Sequence, residues 1–158
     1  MTTSYLVVVG IDGSDGGRRA LEWAVREAAA RDGAVQAVIA WHWDGVEIGP
    51  VLAVSAADAE EHARRVAQND VDALLRRSEG LPPVAVEAIR GRPADVLSRA
   101  AQSASLLVLG SHGHSHLRHT VLGSVSEECV RRATCPVVVI PVPAPQPVDL
   151  TTEALAQR

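Results

Sequence analysis

The chain has 158 residues, 47% of them hydrophobic, enough for one well-formed core and too few for two ordinary domains. A formal net charge of -4 excludes a surface built to track nucleic acid or an anionic membrane, since either needs a basic excess, so any anion site has to be local. All fifteen positive side chains are arginine, and no mechanism here can use a lysine.

"YLVVVGI" (residues 5–11) is a short β-branched run, the pattern of a strand covered on both faces. "DGSDGG" follows with turn chemistry and a helix N-cap at Ser14. From Arg18 to Arg31 the spacing puts Leu21, Ala24, Val25, Ala28 and Ala29 on one helical face, with Trp23 at its edge. "AVQAVIAWHW" predicts a second strand, and residues 44–54, with Gly45, Gly49 and Pro50, a loop. Ala56 to Arg77 is helical again, with Ala59, Ala63, Val66, Ala67, Val71, Leu74 and Leu75 inward, and is closed by Pro82 and Pro83.

"VAVEAIR" alternates as a third strand, "RPADVLSRAAQ" is a short helix with Pro93 in its first turn, and "SLLVLG" is a fourth strand. A helix from Gly123 to Ala133 leads to a fifth strand, "PVVVIPV". The domain spans 1–142, and proline-rich residues 143–158 form a mobile tail. Cys129 and Cys135 read as buried small apolar residues rather than a disulfide. The N-terminus lacks the charged start and apolar core of a signal peptide, and no apolar run reaches a membrane span. A cytoplasmic protein is expected.

Strands and helices in alternation imply a doubly wound α/β fold, a mostly parallel sheet with helices on both faces, because parallel neighbours need crossovers. Ligands in such folds bind beyond the carboxyl ends of the strands. Two loops belong there: the turn from Asp12 to Gly16, and "GSHGHSHLRHTVLGS" (110–124). The second carries the spacing G-x2-G-x9-G-S. Gly110 ends a strand, where a missing side chain lets a ligand lie on the backbone; Gly113 permits a tight turn; Gly123 and Ser124 open a helix. A helix start offers unpaired amides and a positive dipole end, so an oligophosphate could lodge there with the Ser124 hydroxyl as a further donor. The bland alternative is a glycine-rich connection with an ordinary serine cap. Placement between a strand and a helix, beside a second glycine-rich turn, favours the anion site.

Other nucleotide motifs are absent. A P-loop needs a lysine, the first turn lacks G-x-G-x-x-G, and "SHGH" has serine where an HxGH site needs histidine. His112, His114, His116 and His119 raise the possibility of a Zn2+ or Ni2+ site, but the loop has no cysteine or carboxylate to complete a ligand set. The favoured role sets one or two of them, with Arg118, over phosphates.

At "VVVGIDGSDGGRRALEWA", "GRPADVLSRAAQSASLLVLGSHG" and "LGSVSEECVRRATCPVVVI" the sequence resembles the universal stress protein family over roughly residues 4 to 141. The resemblance implies a five-stranded parallel sheet in order 3-2-1-4-5 and a homodimer made through the last strand. In this family the complete glycine pattern marks members that bind ATP. Carried over by position, Gly10, Ile11 and Asp12 would border the nucleoside, and Ala40 and Trp41 would face adenine. Leu109, Gly110, Ser111, His112 and Gly113 would follow ribose and phosphates, and Gly123, Ser124, Val125 and Ser126 would close around the phosphate chain. Asp12 is either a cap for its own turn or an acceptor for the nucleoside; with Ser14 available as cap, the second is preferred. Ser105 replaces an acidic residue common before strand four, at the far end of that strand from the ligand edge, and Trp41 is bulkier than the small aliphatic residue expected near the base. The expected protein binds ATP with Mg2+ in a stress response, regulating partners or dimer surfaces. The alternatives are a slow ATPase or an enzyme that phosphorylates its own Ser124 or Ser126, and a metal binder using the run from His112 to His119.

Overall fold

Each apolar run forms a strand, and each amphipathic stretch forms a helix that carries the chain back across the sheet. The computed structural model describes residues 5–43, 55–114 and 121–143. In chain order these hold β1 (Leu6–Gly10), α1 (Asp15–Ala30), β2 (Ala34–Trp41), α2 (Ala56–Leu75), β3 (Val84–Arg90), α3 (Pro93–Ala100), β4 (Leu106–Gly110), α4 (Ser124–Arg132) and β5 (Val137–Ile140). Every strand pair is parallel and the order is β3-β2-β1-β4-β5. The expected loop at 44–54, residues 144–158 of the tail, and His116, Arg118 and His119 lie outside the described residues.

Alternation along each strand sorts side chains between two cores. Val7, Val9, Val35, Ala37 and Val108 meet α1 and α2 on one face. Val8, Val38, Leu107 and Leu109 meet α3 and α4 on the other. Val7, Val8 and Val9 are 0% exposed, which is why β1 reads as a continuous apolar run. Among the described residues no helix is long and apolar enough to cross a membrane.

Most inward positions hold, with two corrections. Ala29 and Leu75 are exposed, because each sits one helical step, about 100°, beyond the last sheet-facing residue, Ala28 or Leu74. Helix ends also move. Ser14 caps α1 as expected, accepting the Gly17 amide at 3.1 Å, and the helix starts at Asp15. Ser55 and Asp58 form a reciprocal capping box on α2. The helix begun at Pro93 ends at Ala100 and passes into a 3-10 turn, Ala101–Ser103. Gly123, not Ser124, is the N-cap of α4, and no side chain caps that helix.

The winding reverses at β1, whose neighbours β2 and β4 lead in opposite directions along the sheet. A crevice opens there, beyond the carboxyl ends of β1 and β4.

Candidate functional site

The first wall of the crevice is the turn after β1. Asp12 Oδ1 accepts the Ser14 amide at 3.0 Å and also the Ser14 hydroxyl. The adjacent Gly13 has a φ of +78°, a left-handed conformation that suits glycine. Arg18 Nη1 donates to the Gly13 carbonyl at 2.8 Å and reaches Asp70 Oδ1 at 3.3 Å, so α2 braces the turn from behind. The structure thus gives Asp12 the turn-holding role as well as a place at the cleft.

The second wall is the loop after β4, where close approach requires glycine at position 110. A Cβ on Gly110 would stand 2.8 Å from the Gly16 backbone. Its missing side chain therefore lets α1 pack on β4, a packing role beside its place on the cleft lining. Gly113 does not adopt a left-handed turn; a Cβ there would clash with Asp12 Oδ2. His114 joins the walls, its Nε2–H donating to the Asp12 carbonyl at 2.6 Å.

Between the walls lies a cleft of about 300 Å³. Val38, Ala40, Pro93, Leu97, Leu109 and Val125 supply its apolar lining. Asp12, His112, His114, Ser124 and Ser126 supply polar groups beside the backbones of Gly110, Gly113 and Gly123. Among the described lining residues there is no arginine. The N-terminus of α4 opens into this space without a side-chain cap, leaving first-turn amides with no partner inside the helix. A wider groove of about 1010 Å³, bordered by Arg18, Arg19 and Arg77, runs on the α1 side of the same edge. No helix N-terminus lacking a side-chain cap opens into that groove, since Ser14 caps α1.

Every residue expected at the site lines the cleft except Trp41 and Ser111. Trp41 falls on the wrong side of the strand: Val38 and Ala40 face the cleft, so Ile39 and Trp41 face the opposite core. The Arg90 guanidinium lies 5.9 Å from its ring centre. Ser111 is inside the loop, but its hydroxyl accepts the Val142 amide at 3.1 Å, away from the cleft. Ser126 lines the cleft with its hydroxyl engaged on the Gly110 carbonyl at 2.6 Å. Ser105 accepts the Leu6 amide at 3.3 Å, at the far end of the strands as expected.

Val38, Pro93 and Leu97 also line the cleft and were not among the expected site residues. The signal for them was present. Val38 is two residues from Ala40 and shares its face, and Pro93 and Leu97 are one helical turn apart.

His112 Nδ1 lies 3.1 Å from Ser111 Oγ, while His114 turns to Asp12. Among the described residues no group of three or more His, Cys, Asp or Glu side chains could hold a metal ion.

Residues 6–141 match the family model described as the universal stress protein family. A universal stress protein of Mycobacterium tuberculosis is 35% identical over 140 residues, covering 87% of this chain and 49% of the relative. The chain spans about half the length of the curated relatives it matches. Among solved structures, a universal stress protein in complex with cAMP is 27% identical, with a TM-score of 0.63, over 88% of this chain and 98% of that one. The universal stress protein UspA from Lactobacillus plantarum, 22% identical with a TM-score of 0.65 over 86% of this chain and 97% of that one, shares the fold.

Proposed function

The chain belongs to the universal stress protein family, and from that premise we propose that it binds ATP in the cleft between β1 and β4 as a stress-response regulator. The observation that carries this reading is the uncapped N-terminus of α4 opening between glycine walls. Amides there are placed for phosphate oxygens, the helix dipole favours negative charge, and Ser124 adds a hydroxyl. The apolar lining fits a flat base. A similar protein, 27% identical, was solved with cAMP, which supports an adenine nucleotide as the ligand class.

Among the described residues the triphosphate charge would meet the α4 amides, His112 and His114, and Mg2+ arriving with the nucleotide. Asp12 is the one carboxylate on the described lining. With Oδ1 committed to Ser14, Oδ2 is the oxygen left for the cation or the ribose.

A second reading, phosphorylation of the protein by its own nucleotide, narrows to Ser124. Ser126 is 5% exposed and its hydroxyl donates to Gly110, whereas Ser124 is exposed at the cleft.

The partner proposed is a second copy of this chain, paired through β5. That strand bonds β4 on one side only. Its four apolar residues are all half-buried, and an apolar edge strand is a liability unless covered.

The test is to denature the freshly purified protein and identify released nucleotide by mass spectrometry, then to measure retention of MgATP by dialysis. Adenine nucleotide recovered near one per chain is expected. No nucleotide released and none retained at millimolar MgATP would overturn the reading.

A further inference from the structure

Ser111 holds three elements together with one residue. It is 5% exposed. Its amide donates to the Ile140 carbonyl at 2.8 Å, the rung that follows the Gly110–Ile140 pairing of β4 with β5. In a parallel ladder the next rung would carry the Val142 amide to the Ser111 carbonyl. That carbonyl instead accepts the Gly123 amide at 2.7 Å, at the N-cap of α4. Val142 donates instead to the Ser111 hydroxyl at 3.1 Å. A hydroxyl has two lone pairs and one proton, so it can accept Val142 and still meet His112 Nδ1 3.1 Å away.

We propose that the Ser111 hydroxyl stands in for its own carbonyl as the acceptor of Val142, and that this makes Ser111 the positioning residue linking the nucleotide cleft to the end of β5. The inference rests on the nucleotide reading of the cleft. The division of acceptors leaves the carbonyl aimed at Gly123 and the hydroxyl at Val142, and Gly123 sets where the α4 amides point. Without the hydroxyl, the exposed Val142 amide shares the second lone pair of the carbonyl that holds Gly123 or turns to water, and in either case the link between residue 111 and the end of β5 is loosened. A ligand that orders the loop and the start of α4 therefore also orders residues 140–142, where the sheet's last strand ends.

The experiment measures amide hydrogen exchange by NMR, with Mg2+ alone and with saturating MgATP, alongside binding isotherms and thermal unfolding. In the wild type MgATP is expected to slow exchange at both Gly123 and Val142. In Ser111→Ala the Val142 response is expected to disappear and affinity for MgATP to fall about fivefold, the scale of one hydrogen bond. Ser111→Thr, which keeps the hydroxyl, is expected to restore both. Slowing at Gly123 without slowing at Val142 in the wild type would overturn the proposal, and needs no variant to fold. So would a Ser111→Ala protein that keeps the Val142 response and wild-type affinity. If the wild type gives no MgATP isotherm at all, the reading of the cleft fails and this proposal falls with it.

Discussion

Asp12 commits one oxygen to the fold and leaves the other at the cleft. Oδ1 holds the Ser14 amide and hydroxyl, while Oδ2 lies beside Gly113 at the cleft. An asparagine oxygen can keep the first role but brings no charge to the second. Asp12→Asn is therefore expected to melt close to the wild-type temperature while MgATP affinity falls about tenfold, as a charge-assisted contact becomes a neutral one; calorimetry and a thermal melt separate the two effects. Cys129 is 0% exposed, and burial pushes its thiol pKa up. Because only the thiolate reacts, native protein at pH 8 is expected to resist iodoacetamide at Cys129 and to be labelled there after unfolding, as read by peptide mass spectrometry. At this scale the sequence showed which residues gather at the site more clearly than which way they point. Ala40 and Trp41 are neighbours, yet strand alternation sends one to the cleft and the other to the opposite core. Ser111 sits in the right loop, but its hydroxyl direction depends on a contact with Val142, thirty-one positions away, which no local pattern carries.

The helices differ in how their first turns are satisfied. α1 has Ser14 and α2 has the Ser55–Asp58 box, so their free amides are partly consumed. α4 has only glycine at its N-cap, and no side chain takes up its first-turn amides. Strand and helix identities were readable because β1 and β4 are continuous apolar runs buried on both faces, β3 alternates, and each helix has one apolar stripe. The start of α1 was readable from the Ser14 cap although Asp15, Gly16 and Gly17 are poor helix formers; that cap and the close approach of Gly110 to Gly16 hold them helical. Between α3 and α4 an ion pair joins Asp95 to Arg132 at 2.5 Å, and the hydrogen bond from Arg132 holds the Asp95 carboxyl below its usual pKa. A carboxyl depressed by folding adds stability above its unfolded pKa, about 3.9, and loses it as pH falls through the lower folded value. The stability gap between wild type and Asp95→Asn is thus expected to be constant from pH 7 to 5 and to shrink toward pH 2, as measured by urea unfolding at each pH.

For the whole molecule, the parallel sheet followed from alternating strands and helices, and the strand order 3-2-1-4-5 from the family resemblance; the structure has both. That order puts β1 and β4 side by side and brings together two glycine-rich turns about a hundred residues apart in sequence. It also puts β5 at an edge with four half-buried apolar residues. Light scattering at micromolar concentration is expected to give twice the 16.7 kDa chain mass, and a strictly monomeric mass would remove the proposed pairing through β5.

The central claim, that α4 and its glycine walls form an ATP site, is tested most directly by titrating MgATP into the wild type and Gly123→Val in a calorimeter. Gly123 has an extended backbone that valine adopts readily. A Cβ there would lie 3.2 Å from the Ser111 carbonyl oxygen and close to His112, which crowds the cleft without breaking the sheet. One MgATP per wild-type chain is expected, with affinity at least about tenfold weaker in a variant that still melts cooperatively, since a crowded amide nest loses at least one charge-assisted hydrogen bond. No binding heat from the wild type at millimolar MgATP, or equal affinity in the two proteins, would contradict the claim.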